Sequence, residues 1–480
     1  MSYTFRSSVD LVGRDSEPDI VYYNADIISD ANDPTSLGLD KDPPIRFSET
    51  RTTPLIGDIS KYMFSIVRFT MDGAGKDLPL FIPKIDTNQS DINLTTYSIT
   101  YDYTVYYTNP TTLVDTSVTF TAQRFVVYSP ETLFAPLPNP PNAQLSDGSY
   151  VGQDLRGRYY FVYTYQHWLN LVNTTFKYAW DDSQPAVVGT SHPTLSIVAQ
   201  WDAHWTSIGG TVGNRPTLRG TPPYISYDRS SGLFSLYGNV YSFGDSLTPL
   251  TAPSDYTAWS WNNGSPAYAT STVQGTEIMT LYFNTNMMGL FTNFTNFYIG
   301  AELPYGKTNQ IIFQNLQTNI SQPLNTLSAF STTAGANPTV SASTISYWVI
   351  TQDYNSTSTL WNPISSIVFS STMIPIFPEQ TGVPLTYGEG NNNVASESSS
   401  AFTPIITDIS VPMDRADDYR GFLSYTPTGE YRLSSFTGSR AELRNIDIQV
   451  FWKNRLNNQL YPISMFNLSS VSIKMMFRKK

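Results

Sequence analysis

Few residues in this 480-residue chain have the types and spacing that chemistry needs. There are three histidines, His167, His192 and His204. His167 sits among aromatics in "YQHWLN" and reads as structural. His204, in "WDAHW", stands two residues from Asp202, and the pair could share a metal. Nothing nearby in the sequence completes a zinc set. The block "GDSL" at 244–247 spells the nucleophile motif of a hydrolase family. Ser246 would need a histidine base, which in that family comes late in the chain, with an Asp three residues before it. The last histidine is His204, upstream of the block, so the base is missing. "DANDP", with Asp30 and Asp33, and "DRADD", with Asp414, Asp417 and Asp418, offer carboxylates for calcium. Neither has the glycine-bearing loop and closing glutamate of an EF-hand, and turn chemistry accounts for both. There is no Walker loop and no dinucleotide fingerprint. With no cysteine, disulfides and thiolate metal sites are excluded. The residues thus predict no catalytic group, no metal site and no cofactor, and the chain is expected not to be an enzyme.

One aromatic group remains. "DYTAWSWNNGSPAY" (255–268) brings Tyr256, Trp259, Trp261 and Tyr268 into one loop. Such side chains serve as subunit-contact anchors, and they also stack on sugars. Both readings stay open.

The elements that must position these residues are mostly strands. In "LTTYSITYDYTVYY" (94–107) Tyr97, Ile99, Tyr101, Tyr103, Val105 and Tyr107 alternate with polar residues. That period of two marks a half-buried antiparallel strand. "TSVTFTAQRFVVYS" (116–129) pairs naturally with it. "YMFSIVRFTM" (62–71) and "LPLFIPKI" (78–85) read as further strands, the second broken by proline. One segment has helical period: Trp168, Leu171, Val172, Thr175, Phe176 and Ala179 share a face in "YQHWLNLVNTTFKYAW" (165–180). A hairpin is expected at 224–238, and strand character returns at 277–291. At the end, Ile446, Ile448, Val450 and Trp452 alternate with Asp447, Gln449 and Lys453. Val471, Ile473, Met475 and Phe477 then alternate with Ser472, Lys474 and Arg478.

The expected fold is therefore all-β, a jelly-roll β-sandwich with one substantial helix near 165–180. It is either one jelly roll with large insertions or two jelly rolls. The expected organisation is a flexible arm at 1–18 and a first sandwich portion at 19–130. A Pro-rich connection with a helix and a loop-rich insertion follows at 131–275. A second sandwich portion with a basic tail fills 276–480.

Charge is sparse and uneven. Charged residues make up 14% of the chain, and aromatics match them at 14%. A surface with so little charge suits burial against neighbours. Residues 440–480 hold 8 Lys/Arg against 2 Asp/Glu, while the rest of the chain holds 20 against 37. A basic end on an acidic body suggests that one face meets something anionic. Lys453, Arg455, Lys474, Arg478, Lys479 and Lys480 are the candidate contacts. No signal-peptide core and no membrane-length apolar run is visible, so a soluble chain is expected. Asn93, Asn173 and Asn467 head Asn-x-Ser/Thr sequons of the kind that chance supplies in so Asn-, Ser- and Thr-rich a sequence.

The segments "YMFSIVRFTMDGAGKDLPLFIP" and "IDIQVFWKNRLNNQLYPISMFNLSSVSIKMMF" resemble the opening and closing strands of jelly-roll capsid proteins. The likeness is to the penton or minor capsid proteins of adenovirus-like, polinton-like and virophage-type DNA viruses, mainly over 45–130 and 345–480. The Arg-Gly-Asp receptor loop of some adenovirus pentons has no counterpart here. The resemblance implies a shell protein that self-associates, as a pentamer rather than a trimer, and contacts other capsid proteins. It would be assembled in a reducing compartment. Its basic C-terminus would face the viral genome or an inner membrane. The alternatives are a double jelly-roll major capsid protein and a glycan-binding spike or tail protein.

Overall fold

The computed structural model describes residues 18–28, 44–72, 78–86, 91–131, 158–181, 195–216, 218, 221–239, 259–262, 265–268, 276–300, 306–311, 328–331, 339–340, 346–354, 359–377, 379–380, 385–386, 394–395, 402–411, 422–426, 432–438, 441–455, 458–465 and 469–480. They fall into two compact units, Met1–Phe81 with Asn362–Lys480, and Ile82–Trp361. The chain starts in the first with β1 (Ile20–Ile28), β2 (Arg46–Thr50) and β3 (Tyr62–Asp72). It then builds the whole second unit before it returns.

The second unit opens with β4 (Leu94–Thr108) and β5 (Asp115–Val127), the long pair whose alternation is plain in the sequence. Two helices follow, α1 (Tyr165–Trp180) and α2 (Ile197–Ser207). The remaining strands used below are β6 (Tyr224–Asp228), β7 (Leu233–Asn239), β8 (Trp259–Asn262), β9 (Ser265–Tyr268) and β10 (Thr276–Phe283). After the short helix α3 (Thr285–Leu290) come β11 (Asn296–Tyr298), β12 (Asn309–Ile311) and β13 (Ser346–Thr351). One sheet has the order β11-β12-β10-β4-β5; in another, β13, β7 and β6 are neighbours. The tyrosine stripe of β4 is what binds the helices. Tyr97 meets Trp168 edge-on at 5.3 Å, Tyr101 stacks on Phe176 at 6.1 Å and Tyr103 meets Trp180 at 4.8 Å. Tyr107 carries the stripe on to Trp201 of α2 at 5.2 Å. Such pairs add roughly 0.5–1.5 kcal/mol each beyond burial.

Helix α1 lies where its period predicts, with Thr164 as N-cap, its side chain accepting from His167 N at 3.1 Å. Leu171 is half-buried, and Leu169 and Trp180 complete the buried face instead. Helix α2 lies in a stretch expected to be loop. Its signal was present: Ser196 caps Ala199 N at 3.3 Å, and Ile197, Trp201 and Trp205 recur every fourth residue. The strand expected over 277–291 ends at Phe283, because Asn284 caps α3 through Met287 N at 2.9 Å. Residues 78–85 form no ladder beyond isolated bridges, though Leu78, Leu80, Phe81 and Ile82 are buried. Pro79 and Pro83 remove the donors that a strand needs.

Back in the first unit the chain adds β14 (Ile364–Ser370), β15 (Ile405–Ser410), β16 (Phe422–Tyr425), β17 (Asn445–Asn454), β18 (Leu460–Pro462) and β19 (Ser470–Lys479). One sheet has the order β1-β19-β3-β16, the other β2-β17-β14-β15, with β18 on the flank of β17. Setting β18 and the two-residue strands aside, the eight described strands of this unit in chain order run 1-8-3-6 in one sheet and 2-7-4-5 in the other. First pairs with last, second with seventh, third with sixth and fourth with fifth. That is a long antiparallel hairpin rolled up, the jelly roll. Between the sheets Phe69 of β3 meets Phe369 of β14 edge-on at 5.0 Å. Ile66, Ile367, Ile446, Ile448, Val450, Trp452, Ile473 and Phe477 are buried with them.

The described residues therefore hold one jelly roll, with Ile82–Trp361 inserted between its third and fourth strands. The divisions expected at 130 and 275 lie within the inserted unit. A half-buried strand has the same period in either unit, so alternation alone could not assign β4 and β5. No described helix is long and apolar enough to cross a membrane.

Candidate functional site

The groups that could do chemistry are committed to the fold. His167 Nε2 donates to Ser129 O at 2.7 Å, and the residue is buried. Burial pushes its pKa down, against the opposing pull of the Ser129 carbonyl and the Glu131 charge. His204 Nε2 lies 2.6 Å from Tyr107 Oη, and its pKa is also lowered by burial. Asp202 pairs instead with Arg215, so Asp202 and His204 are engaged separately. No group of three or more potential metal ligands occurs among the described residues. His192, Ser246 with its block, Asp30, Asp33, Asp414, Asp417 and Asp418 lie outside the described residues.

Among the described residues the one fully buried carboxylate is a clamp. Asp447, on β17, accepts from Ser371 Oγ, from Thr372 N at 2.9 Å, from Thr372 Oγ1 at 2.7 Å and from Met373 N at 2.8 Å. Burial alone would raise its pKa, but these donors outweigh it and hold the pKa below the ordinary carboxylate value. The sequence places Asp447 on the polar side of its strand. It is on that side, yet the turn after β14 covers it.

The six cations expected to form one patch divide between the two sheets of the jelly roll. Lys453 lies on the outer side of β17, between Ser366 and Leu460 in register. Arg455 is held by backbone: Nη2 donates to Ile364 O at 2.9 Å and Nε to Asn362 O at 3.3 Å. Lys474 and Arg478 lie on the outer side of β19, in the other sheet. Lys479 forms an ion pair with Asp19 at 3.7 Å, and Lys480 N donates to Lys61 O at 2.8 Å.

Around Lys474 the sheet adds a cation that the sequence reading passed over. Arg68 of β3 lies directly opposite Lys474 in register, and it is exposed. A β-bulge brings it there. The ladder pairs Lys474 with Arg68 and Met475 with Ile66, so Val67 is the extra residue. The bulge keeps Phe64 and Ile66 on the same buried face as Phe69 and Met71, although the two sets are out of phase in sequence. Lys474 Nζ stands 4.6 Å from the centre of the Tyr22 ring. Ile20, Tyr22 and Phe422 add exposed apolar surface to this sheet, at 43%, 54% and 56%.

The aromatic loop is a hairpin. β8 and β9 pair with Trp259 opposite Tyr268 and Trp261 opposite Pro266. Tyr256 lies outside the described residues.

Comparisons with known proteins agree with this fold. The chain is 29% identical over 178 residues to the uncharacterized protein V18 of Sputnik virophage, covering 37% of this chain and 91% of that protein. It shares its fold with a chain of the cryo-EM structure of the Sputnik virophage. There the TM-score is 0.62 at 20% identity, over 97% of this chain and 99% of the other. A weaker likeness, TM-score 0.46 at 12% identity over 96% of this chain and 100% of that one, is to the mavirus penton protein. Residues 21–479 match the sequence model of the Sputnik minor capsid protein V18/19 family. The chain belongs to that family and is a structural component of a viral capsid.

Proposed function

We propose that this minor capsid protein closes into a homopentamer at the vertices of an icosahedral shell, where it contacts other capsid proteins. The observation that carries the reading is the single jelly roll with an insertion of different build between its third and fourth strands. Such a subunit contributes one barrel to a ring. A subunit with two barrels suits a three-fold capsomer instead. The role is non-catalytic: the described histidines and the buried carboxylate are engaged in packing and hydrogen bonds. Assembly in a reducing compartment fits a chain without cysteine. Trp259, Trp261 and Tyr268 on their hairpin, with Tyr256 three residues earlier in the sequence, act as subunit-contact anchors, since Trp and Tyr dominate interface energetics. The C-terminal strand turns its basic side toward the shell interior. Native mass spectrometry and two-dimensional averages of the purified full chain test the symmetry. Five copies with five-fold averages are the expected result; a trimer, or a monomer stable at all concentrations, overturns the reading.

A further inference from the structure

The outer face of the β1-β19-β3-β16 sheet joins Arg68 of β3 to Lys474 and Arg478 of the neighbouring β19, which come more than 400 residues later in the sequence. We propose that this face is a sequence-independent nucleic-acid platform that holds the phosphate backbone.

Placement is the first support. Lys474 and Arg68 lie opposite each other on adjacent strands. Like charges in that relation repel and destabilise a sheet unless something anionic bridges them. Arg478 follows four residues along β19, on the same side, about 13 Å away by strand rise. Its register partners are Ile20 and Met63, neither of them charged. Among the described residues neither Arg68 nor Arg478 has a carboxylate partner, and Lys474 meets the Tyr22 ring. This is notable in a chain with 39 acidic residues against 28 basic ones, where carboxylates are in excess.

The second support is the distribution of charge along the sheet. At the Arg478 end Asp19, just before β1, is taken up by Lys479, and the other described acidic residues of the sheet lie toward the opposite end. Asp26 pairs in register with Ser472, and Asp72 accepts from Ser470 N. The Arg478 end carries Lys480, whose backbone is fixed to Lys61 O at 2.8 Å. Positive charge is therefore gathered on one half of the face, with the half-exposed Tyr22 ring among the cations. Cations interleaved with an aromatic surface are what a phosphate chain with stackable bases requires. Contacts from these cations to phosphate position a strand and carry no sequence reading. Lys453 and Arg455 have no part in it, because one lies on the other sheet's outer side and the other is bound to carbonyls.

Only the platform's place inside the shell rests on the capsid reading; binding is measured on the free chain, so its failure leaves the pentamer standing. The probe is a fluorescent oligothymidylate of about 20 nucleotides, followed by anisotropy from about 50 mM salt upward. The expected log–log salt slope is about −2, from three cations at about −0.7 each on a single strand. The triple variant Arg68→Gln, Lys474→Gln, Arg478→Gln should lose at least about tenfold in affinity and most of the slope. Lys453→Gln should bind as the parent does. The single variants Arg68→Gln and Arg478→Gln, both at exposed positions, should each lower the slope by about 0.7, which keeps the test decisive if the triple variant misfolds. Anionic phosphatidylserine vesicles and polyglutamate are run beside the oligonucleotide. No binding at low salt, unchanged affinity in the variants, or preference for vesicles or polyglutamate overturns the proposal.

Discussion

The side-chain amide of Asn173 hydrogen-bonds both backbone groups of Ile225: Nδ2 donates to Ile225 O at 2.9 Å, and Ile225 N donates to Oδ1 at 2.8 Å. Ile225 belongs to β6, whose one strand neighbour among the described residues is β7. A helix side chain thus occupies the place of the next strand and covers a sheet edge that would otherwise present unpaired groups. Asn173→Ala should leave both groups of the buried Ile225 unsatisfied and destabilise the protein by roughly 2–5 kcal/mol. Asn173→Asp should fall in the same range, because a carboxylate cannot donate to Ile225 O. Thermal melts of the two variants check this, and a melting point within error of the parent would refute it. The same bonds engage the amide that the sequon at Asn173 would offer for modification.

Asp447 makes stability fall in acid. Its folded pKa is depressed by the donors from Ser371, Thr372 and Met373. The stabilisation is therefore present above the unfolded carboxylate value of 3.8 and is lost as pH falls through the folded value. Asp447→Asn should remove that part of the acid dependence and destabilise the protein at neutral pH, since its amide would face donors. Denaturant midpoints between about pH 2 and pH 7 measure both effects. An Asn variant as stable as the parent at neutral pH would show that the clamp contributes nothing.

The histidines act in a higher window. His167 is neutral in the fold, with Nε2–H on Ser129 O and a buried Nδ1 that has no hydrogen-bond partner among the described residues. Protonation would add a second, unpaired buried donor. Its folded pKa lies below the ordinary histidine value of 6.5, as does that of His204. Unfolding therefore takes up protons below that value, and stability declines as pH drops from about 6.5 toward the folded values. Glu131 lies near His167 and weakens the effect without reversing it. His167→Gln keeps a donor for Ser129 O and has nothing to titrate. Paired with His204→Gln, it should flatten the melting temperature between about pH 7 and pH 5. An unchanged slope in the double variant would assign the dependence elsewhere.

The sequence was most legible where one strand has one buried face. The Tyr97–Tyr107 stripe, helix α1 and the closing pair all stand as their periods predict, since burial selects every second or every third-to-fourth residue. What alternation cannot encode is the partner. β4 and β5 look like sandwich strands but belong to the inserted unit, and the jelly roll emerges only once first and last strands are paired. Asp447 appears solvent-facing because the turn that buries it lies more than 70 residues earlier. Arg68 was hidden for a related reason: the phase break at Val67 obscures which side of β3 it occupies, and its neighbour Lys474 lies at the far end of the chain. Lys453 and Lys474 seemed companions because they are near in sequence, although adjacent strands of a jelly-roll hairpin belong to different sheets.

The bulge itself can be tested by deletion. In β3 the buried residues Phe64 and Ile66 are followed, three positions later, by Phe69 and Met71. The opposing residues of β19 keep strict alternation: Ile473 faces Phe69, Met475 faces Ile66 and Phe477 faces Phe64. Val67 is the unmatched residue, half-buried and without a register partner on β19. Removing it should turn the bulged ladder into a regular one, with Ile66, Phe69 and Met71 still facing the core and Arg68 still outward. Removing Thr70 keeps the bulge but sends Met71 to the outer side or pulls Phe69 off Phe369, because a one-residue slip inverts every side chain beyond it. Displacing a buried Phe or Met costs about 2–5 kcal/mol, a large part of a domain's stability. Deletion of Val67 should therefore give a folded, cooperatively melting protein with some loss of twist and stability, while deletion of Thr70 should give insoluble or molten chain. Soluble yield and near-ultraviolet circular dichroism separate the outcomes. Equal damage from both deletions would mean that the extra residue is itself required, its twist holding the first sheet against the second.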